Sequence, residues 1–265
     1  MGKYDGILLA SDLDGTLLDS ARTVSRQNAQ AIKYFMAEGG RFTPATGRSL
    51  HGFMTVEPMV LYNTPCVLFN GSCVYDFKAK EAVRTVPLRG DYVQACRDAL
   101  MMFPSLPLEV HNLDGTYVYR ANGNTDSHFD AIGAGYIPVK SLDDIPKPWL
   151  KALFCDDTPV LRRVQMWLRR RYADVFDCVF SHKYLLELQD PDANKGAQIA
   201  YIADGYGIHR VYAVGDGEND LSMTRFDFYA PRNADPAVKR AARGVVADND
   251  GHAVARMIDI IDREA

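Results

Sequence analysis

Residues 7–18, ILLASDLDGTLL, decide how the rest of the chain is read. The apolar run Ile7 to Ala10 has the length and composition of a buried strand, and it passes directly into Asp12, Asp14 and a turn at Gly15. Polar residues at the end of a buried strand lie where open α/β sheets bind their ligands. If the chain stays extended, alternation points Asp12 and Asp14 the same way, and two carboxylates sharing one small pocket repel unless a proton or a cation intervenes. A hard divalent cation with oxygen ligands, Mg²⁺ above all, relieves that repulsion. The competing reading of DLDGT alone is an Asp-Gly turn with solvated acids.

Working outward, Ser25 is placed to cap a helix with apolar positions Ala29, Ile32, Phe35 and Met36, ending at Gly39-Gly40. Residues 41–45 read as a short strand leading into Thr46-Gly47-Arg48. Pro44 has no amide hydrogen to give, which argues against a central strand or for a bulge there. A third apolar run, residues 66–69, stops at Asn70-Gly71 and is followed by Val74 and Tyr75. The pattern to this point is strand, helix, strand, helix, strand.

From about residue 84 to 189 the character changes. Expected strands at 116–120, 151–155, 175–180 and 184–188 mix with expected helices at 91–103 and 159–172, and prolines cluster at 104, 107, 138, 146 and 148. The simplest organisation is a core formed by residues 1–83 and 190–265, interrupted by an α+β insertion over 84–189. The α/β rhythm resumes with a helix from Lys195, a strand over 211–214, the turn GDGEND at 215–220, a helix through Phe226, a strand near Phe228, and helices over 236–242 and 251–261. The fold class is thus α/β, a doubly wound, Rossmann-like parallel sheet with an inserted α+β domain.

Composition sets outer limits. At 265 residues, 47% of them hydrophobic, the chain can bury a substantial core. A formal charge of -4 and a pI near 5.9 supply no broad positive field for nucleic acid or an anionic membrane. The local exception is Arg162, Arg163, Arg169, Arg170 and Arg171, which share a helical stretch with Val164, Trp167 and Leu168; an amphipathic helix with a solvated arginine side accounts for them. Five cysteines without a CxxC pair fit a reducing cytoplasm, the six histidines show no metal spacing, and no window approaches a membrane span. A cytoplasmic protein, monomeric or weakly dimeric, with neither nucleic-acid nor membrane partner is expected.

Four pieces carry polar residues at strand ends: Asp12 with Asp14, Thr46, Lys195, and Asp216 with Asn219 and Asp220. Phosphoryl transfer needs such a set, namely a nucleophile, a proton donor, a metal and fixed donors for the equatorial oxygens. With DLDGTLL at 12–18, ATGR at 45–48, FNGSCVYD at 69–76, NKG at 194–196 and GDGEND at 215–220, the chain resembles the haloacid dehalogenase superfamily, specifically its Cof-type phosphatases with a large type C2 cap. RNADPAVKRAARGVV at 232–246 and DNDGHAVARMI at 248–258 extend the resemblance.

The resemblance implies a nucleophile at Asp12 and an acid/base at Asp14, with Thr46, Gly47 and Lys195 binding the phosphoryl oxygens. It implies Mg²⁺ held by the Asp12 and Asp216 side chains and the Asp14 backbone carbonyl, with Asn219 and Asp220 supporting that site. Arg48 is either a substrate contact or a solvated helix-start residue. Asn70 and Gly71 form either a loop beside the site or a plain turn. The implied activity is hydrolysis of small phosphorylated metabolites, sugar phosphates foremost, through an aspartyl-phosphate, with the insertion as a lid that excludes water and contacts the leaving group. A phosphomutase or phosphotransferase is the enzymatic rival, and a non-catalytic phospho-receiver the rival from another class. In the insertion, His111, Asn112, Asp114, Asn122, Asn124, His128 and His182 are polar without being singled out; just after it, Asp190 and Asp192 read as surface acids, the alternatives being that they tune the charge of the hinge or contact a cationic substrate.

Overall fold

The structure is a computed structural model that describes residues 2–173 and 175–264. The chain divides into two compact units, one of residues 1–47, 56–84 and 194–265, the other of residues 48–55 and 85–193.

The first unit is built on a five-stranded parallel sheet of β1 (Ile7–Ser11), β2 (Arg41–Pro44), β12 (Arg210–Val214), β13 (Asp227–Pro231) and β14 (Gly244–Val246), in the order β14-β13-β12-β1-β2. The buried parts of its central strands, Leu8 to Ala10, Tyr212 to Val214 and Phe228 to Ala230, are apolar apart from the tyrosine hydroxyls, as a sheet covered on both faces demands. Ser11 stands opposite both Val214 and Pro44, so β12, β1 and β2 end level with one another. Asp12, Asp216 and Thr46 follow within two residues of those ends, and this register brings residues distant in sequence to one sheet edge. Pro44 is accommodated because β2 is the edge strand of its sheet.

Helix α1 (Arg26–Ala37) starts where expected, with the Ser25 side chain accepting from the Asn28 N–H. It buries Ile32, Phe35 and Asn28 rather than Ala29 and Met36; Asn28 donates to the Leu17 carbonyl and accepts from Ala255 at the start of α8 (Ala253–Glu264). Helices α6 (Lys195–Gly205) and α7 (Pro236–Ala241) pack Ile199, Ile202 and Val238 into one cluster with Leu8, Ala10, Ala213 and Phe228 of the sheet. At about 1.5–3 kcal/mol for each large apolar side chain fully buried, this cluster outweighs any single polar contact nearby.

Two expectations fail in this unit. The run 66–69 is not among the five strands of the parallel sheet: β3 (Cys66–Leu68) pairs antiparallel with β4 (Cys73–Asp76) in a small sheet completed by β5 (Glu81–Thr85), and meets the residue after β2 through a parallel bridge between Ala45 and Val67. The segment Glu218–Arg225 is a run of 3₁₀ turns rather than an α-helix.

The second unit holds α2 (Leu50–Met54) and a six-stranded sheet in the order β10-β11-β9-β6-β7-β8. Its strands are β6 (Leu108–His111), β7 (Thr116–Tyr119), β8 (Ile137–Val139), β9 (Lys151–Cys155), β10 (Asp177–His182) and β11 (Leu185–Gln189). All pairs are antiparallel except β7 with β8. Helices α3 (Tyr92–Met102) and α5 (Thr158–Tyr172) cover one face, with Trp149, Phe154, Leu161, Leu168 and Leu186 in a shared core. On α5, Arg162 lies over the Phe180 ring, Arg171 over Trp167, and Arg169 donates to the Cys178 carbonyl, so the arginine side is that of an amphipathic helix. Strands β6 and β8 and helix α4 (Gly123–Ile132) were not expected. The His182 side chain lies outside the described residues.

Asp190 is not a surface acid. It is 1% exposed and takes both prongs of the Arg89 guanidinium at 2.6 Å, while the exposed Asp192 accepts from the same guanidinium. Burial favours a neutral Asp190 carboxyl, but the Arg89 hydrogen bonds outweigh it and hold the group below the usual carboxylate range.

Candidate active site

The site grows from the ends of β1 and β12. The chain leaves β1 at Ser11 and turns at once: the Thr16 and Leu18 N–H groups donate to the Leu13 carbonyl, and Leu17 N–H to that of Asp12. The alternation expected for an extended segment therefore does not operate, and Asp12 is buried while Asp14 is exposed. The turn closes on Gly15, whose φ of +76° suits glycine and whose position admits no side chain, since a Cβ there would stand 2.5 Å from Asp216 Oδ2. Thr16 Oγ1 donates to Asp216 Oδ1 at 2.8 Å, and Asn233 Nδ2 to the Gly15 carbonyl at 2.7 Å. The sequence reading missed both of these residues. Thr16 sits inside the quoted motif and was findable by adjacency; Asn233 needs the tertiary fold.

Lys195 opens α6 and is completely buried. Its ammonium donates to Asp12 Oδ1 and to Asp220 Oδ1, each at 2.6 Å. Helix α6 can sit this deep because Asn194 caps it, accepting from Ala197 N–H, and because Gly196 lets the Glu218–Arg225 segment approach; a Cβ at Gly196 would stand 2.1 Å from the Ser222 carbonyl oxygen. The second oxygen of Asp220 accepts from Gly217 N–H at 3.0 Å, so both of its oxygens are engaged in holding the site together. Asp12, Asp216 and Asp220 offer carboxylate oxygens all within 4.8 Å of one another, the one such acidic group among the described residues.

With all three carboxyls ionised, three carboxylates face one ammonium, a deficit of two positive charges. The proton affinities register it. Burial, opposed by Lys195 but reinforced by Asp220 and Asp216, lifts Asp12 well above the carboxylate range. Burial and Asp220 push Asp216 up to about 6 against the Thr16 hydrogen bond. For Lys195, desolvation pulls toward the neutral form, and the two aspartates overcome it and keep the ammonium charged. A divalent cation fits a cluster of this kind, being an all-oxygen donor set short of two charges.

The remaining candidates fall around this centre. Thr46 is buried, donates its N–H to the Val67 carbonyl and accepts from Asn70 N–H. Gly47 lies against Asn70, and Asn219 Nδ2 donates to Asn70 Oδ1 at 2.9 Å. Arg48 groups with the other unit, where its guanidinium donates to the Gly52 carbonyl and to Thr55 Oγ1 around α2. All five cysteines are free and buried, and no helix among the described residues is long and apolar enough to cross a membrane.

A parallel α/β sheet whose strand ends gather aspartates around a buried lysine, interrupted by a second α+β unit, defines a class of hydrolase fold. Residues 9–258 match the family model for haloacid dehalogenase-like hydrolases, and the chain belongs to that family. It is 27% identical to 5-amino-6-(5-phospho-D-ribitylamino)uracil phosphatase YitU of Bacillus subtilis, with 95% of this chain and 96% of that protein covered. It is 26% identical to pyridoxal phosphate phosphatase YbhA of Escherichia coli, over 95% of this chain and 97% of the other. The crystal structure of a haloacid dehalogenase-like hydrolase from Bacteroides thetaiotaomicron superposes with a TM-score of 0.83 at 26% identity, covering 98% of this chain and 100% of that one.

Proposed function

We propose that the protein is a Mg²⁺-dependent phosphatase that hydrolyses small phosphorylated metabolites through an aspartyl-phosphate on Asp12. The observation that carries this reading is the Lys195 ammonium held between Asp12 and Asp220 beside Asp216, a cluster short of two positive charges. Asp12 and Asp216, with the Asp14 backbone carbonyl, would hold Mg²⁺, which supplies charge neutralisation for the phosphoryl group when bound.

The protein's own groups have distinct tasks. Lys195 fixes one Asp12 oxygen and leaves the other to attack phosphorus, with the phosphorus–oxygen bond to the leaving group breaking as the new one forms. Asp14, exposed to solvent protons, gives a proton to the departing oxygen and then takes one from the water that cleaves the aspartyl-phosphate. Thr46 and Gly47 bind the phosphoryl oxygens beside Lys195. Asp220 acts by holding Lys195.

The choice of ester is assigned to the inserted unit, because the motif residues account for phosphate chemistry alone. The two named relatives act on different phosphate esters at nearly equal identity, one of them a phosphorylated ribityl chain, which supports polyol and sugar phosphates as the class to try first. The test is steady-state hydrolysis of a phosphate-ester panel with Mg²⁺ and with chelator. Multiple turnovers that stop in chelator are expected; no phosphate release from any ester, or full activity in chelator, refutes the reading.

A further inference from the structure

The turn Phe69–Gly71 is held in a conformation its residues would not choose. Phe69 and Asn70 both lie in the left-handed region, at φ 52° and 57°. Asparagine visits that region readily and phenylalanine does not, and such residues cost about 1–3 kcal/mol each unless their surroundings fix them. Three attachments fix this turn. Asn70 N–H donates to the Thr46 carbonyl at 3.0 Å, and Asn70 Oδ1 accepts from Asn219 Nδ2 at 2.9 Å. Gly71 is pressed so closely on Asn194 that a Cβ would stand 2.5 Å from its carbonyl carbon. One strained turn therefore touches the segment before Gly47, the loop after β12 and the residue that caps the Lys195 helix.

The Asn70 contact also decides which way round the Asn219 amide sits. With its Nδ2 end donated to Asn70, its Oδ1 end lies over Gly217, 2.6 Å from where a Cβ would be. Reversing the Asn219 amide alone would set two oxygens against each other, and reversing both amides together would turn away from Gly47 the Asn70 oxygen that now packs against it, 2.7 Å from where a Cβ would be. We propose that Asn70 is a positioning residue acting through Asn219: it presents an oxygen, not an NH₂ group, to the Asp216-Gly217 turn, where an acceptor suits a cation or its water and a donor opposes it. Burial to 1% exposure, the strained turn and the shared amide contact carry this assignment independently of any substrate contact. It rests on the proposed function in its turnover readout and in the Mg²⁺ site which that reading assigns to this turn.

The test is a double-mutant cycle with Asn70→Gly and Asn219→Ala. Glycine takes the left-handed conformation without strain, so Asn70→Gly removes the carboxamide while keeping the turn, and Tm should fall little or rise. On a generic aryl phosphate its kcat should drop roughly 10- to 100-fold, the range for a residue that orients another, with KM within about twofold. Mg²⁺ affinity by calorimetry should weaken several-fold, and Asn219→Ala should add little in the Asn70→Gly background. Unchanged kcat and Mg²⁺ affinity in Asn70→Gly, losses that multiply in the double variant, or an effect confined to KM would each overturn the proposal. If the wild type hydrolyses no phosphate ester, the proposed function fails by itself, and the cycle is read on Mg²⁺ affinity, where sub-additive losses support the coupling and additive ones refute it.

Discussion

Lys195 in the parallel-sheet unit and Lys151 in the inserted unit are both buried cations beside buried carboxylates, yet they sit in opposite charge balances. Lys195 faces three acids, and its partners come from the ends of β1 and β12, where the backbone is turning. Lys151 lies mid-sheet. It pairs with Glu187 at 3.2 Å, and Glu109 and Glu187 flank Leu153 in one row across β6, β9 and β11. Glu109 is completely buried, neither carboxyl oxygen has a hydrogen bond among the described residues, and the nearest basic nitrogens, of His111 and His128, stand 3.8 Å away. Burial pushes Glu109 up to about 8, with Lys151 opposing and Glu187 adding to it, so it carries a proton at neutral pH. One ammonium then meets one carboxylate, whereas around Lys195 two acids remain beside the ammonium even when the raised Asp12 also holds a proton. A balanced cluster closes on itself, whereas an unbalanced one holds unspent attraction for a cation, which is what a phosphoryl-transfer site requires.

The hardest blow to this contrast is at the proposed nucleophile. Asp12→Asn changes little volume and leaves the fold intact, but should cut phosphate release on the order of 10⁴-fold or more, the scale on which covalent nucleophiles are lost. A purified Asp12→Asn protein near wild-type activity would place the chemistry elsewhere. Asp216→Ala should raise the Mg²⁺ concentration needed for half-maximal rate; an unaltered requirement would remove Asp216 from the metal site.

The two lysines themselves give the sharper comparison. Lys195→Met strands the buried Asp12 and Asp220 beside the half-buried Asp216 and should cost about 3–5 kcal/mol, read from denaturant melts. Because a bound cation stabilises only the folded form, millimolar Mg²⁺ should restore part of that loss. Lys151→Met should cost less at neutral pH, since Glu187 alone can be neutralised by one proton, and Mg²⁺ should not help. Equal rescue of both variants would mean that the inserted cluster also wants a cation, and the distinction would collapse.

The same electrostatics explain what the sequence disclosed. The strand ends around Asp12, Thr46 and Asp216 were legible because an apolar run that stops at an acid or a glycine is a local signal. Strand β6 was not, because LEVH places Glu109 and His111 on a face that reads as exposed until the inserted sheet buries it. Helix α4, GNTDSHFDAI, is capped by Asn122 but has no apolar stripe, so periodicity had nothing to find. The 3₁₀ run Glu218–Arg225 kept a helical look while its backbone bends to meet Gly196 and to bring Asp220 under Lys195. That Asp220 spends both oxygens inside the protein is a fact of geometry no spacing encodes.

The subtlest test separates the clusters by pH. Folded, Glu109 holds its proton to about pH 8, whereas the unfolded chain releases it near the ordinary value of 4.5, so this group's contribution to stability falls as pH rises through that interval. His111 works the other way: burial, Lys151 and His128 keep it neutral in the fold, so stability is lost as pH drops below its ordinary 6.5. The two slopes oppose each other below 6.5, and above it only the Glu109 slope remains, worth about 2 kcal/mol by pH 8 at roughly 1.4 kcal/mol per tenfold in proton affinity. Asp12 and Asp216, also raised, are unchanged in a Glu109→Gln variant and cancel in the difference. Glu109→Gln cannot ionise, so its stability relative to wild type should climb steadily from pH 6.5 to 8 in urea melts. A flat difference would mean that Glu109 is already charged in the fold, leaving the inserted cluster with an excess of acid like that around Lys195, and charge balance would no longer be what tells the two apart.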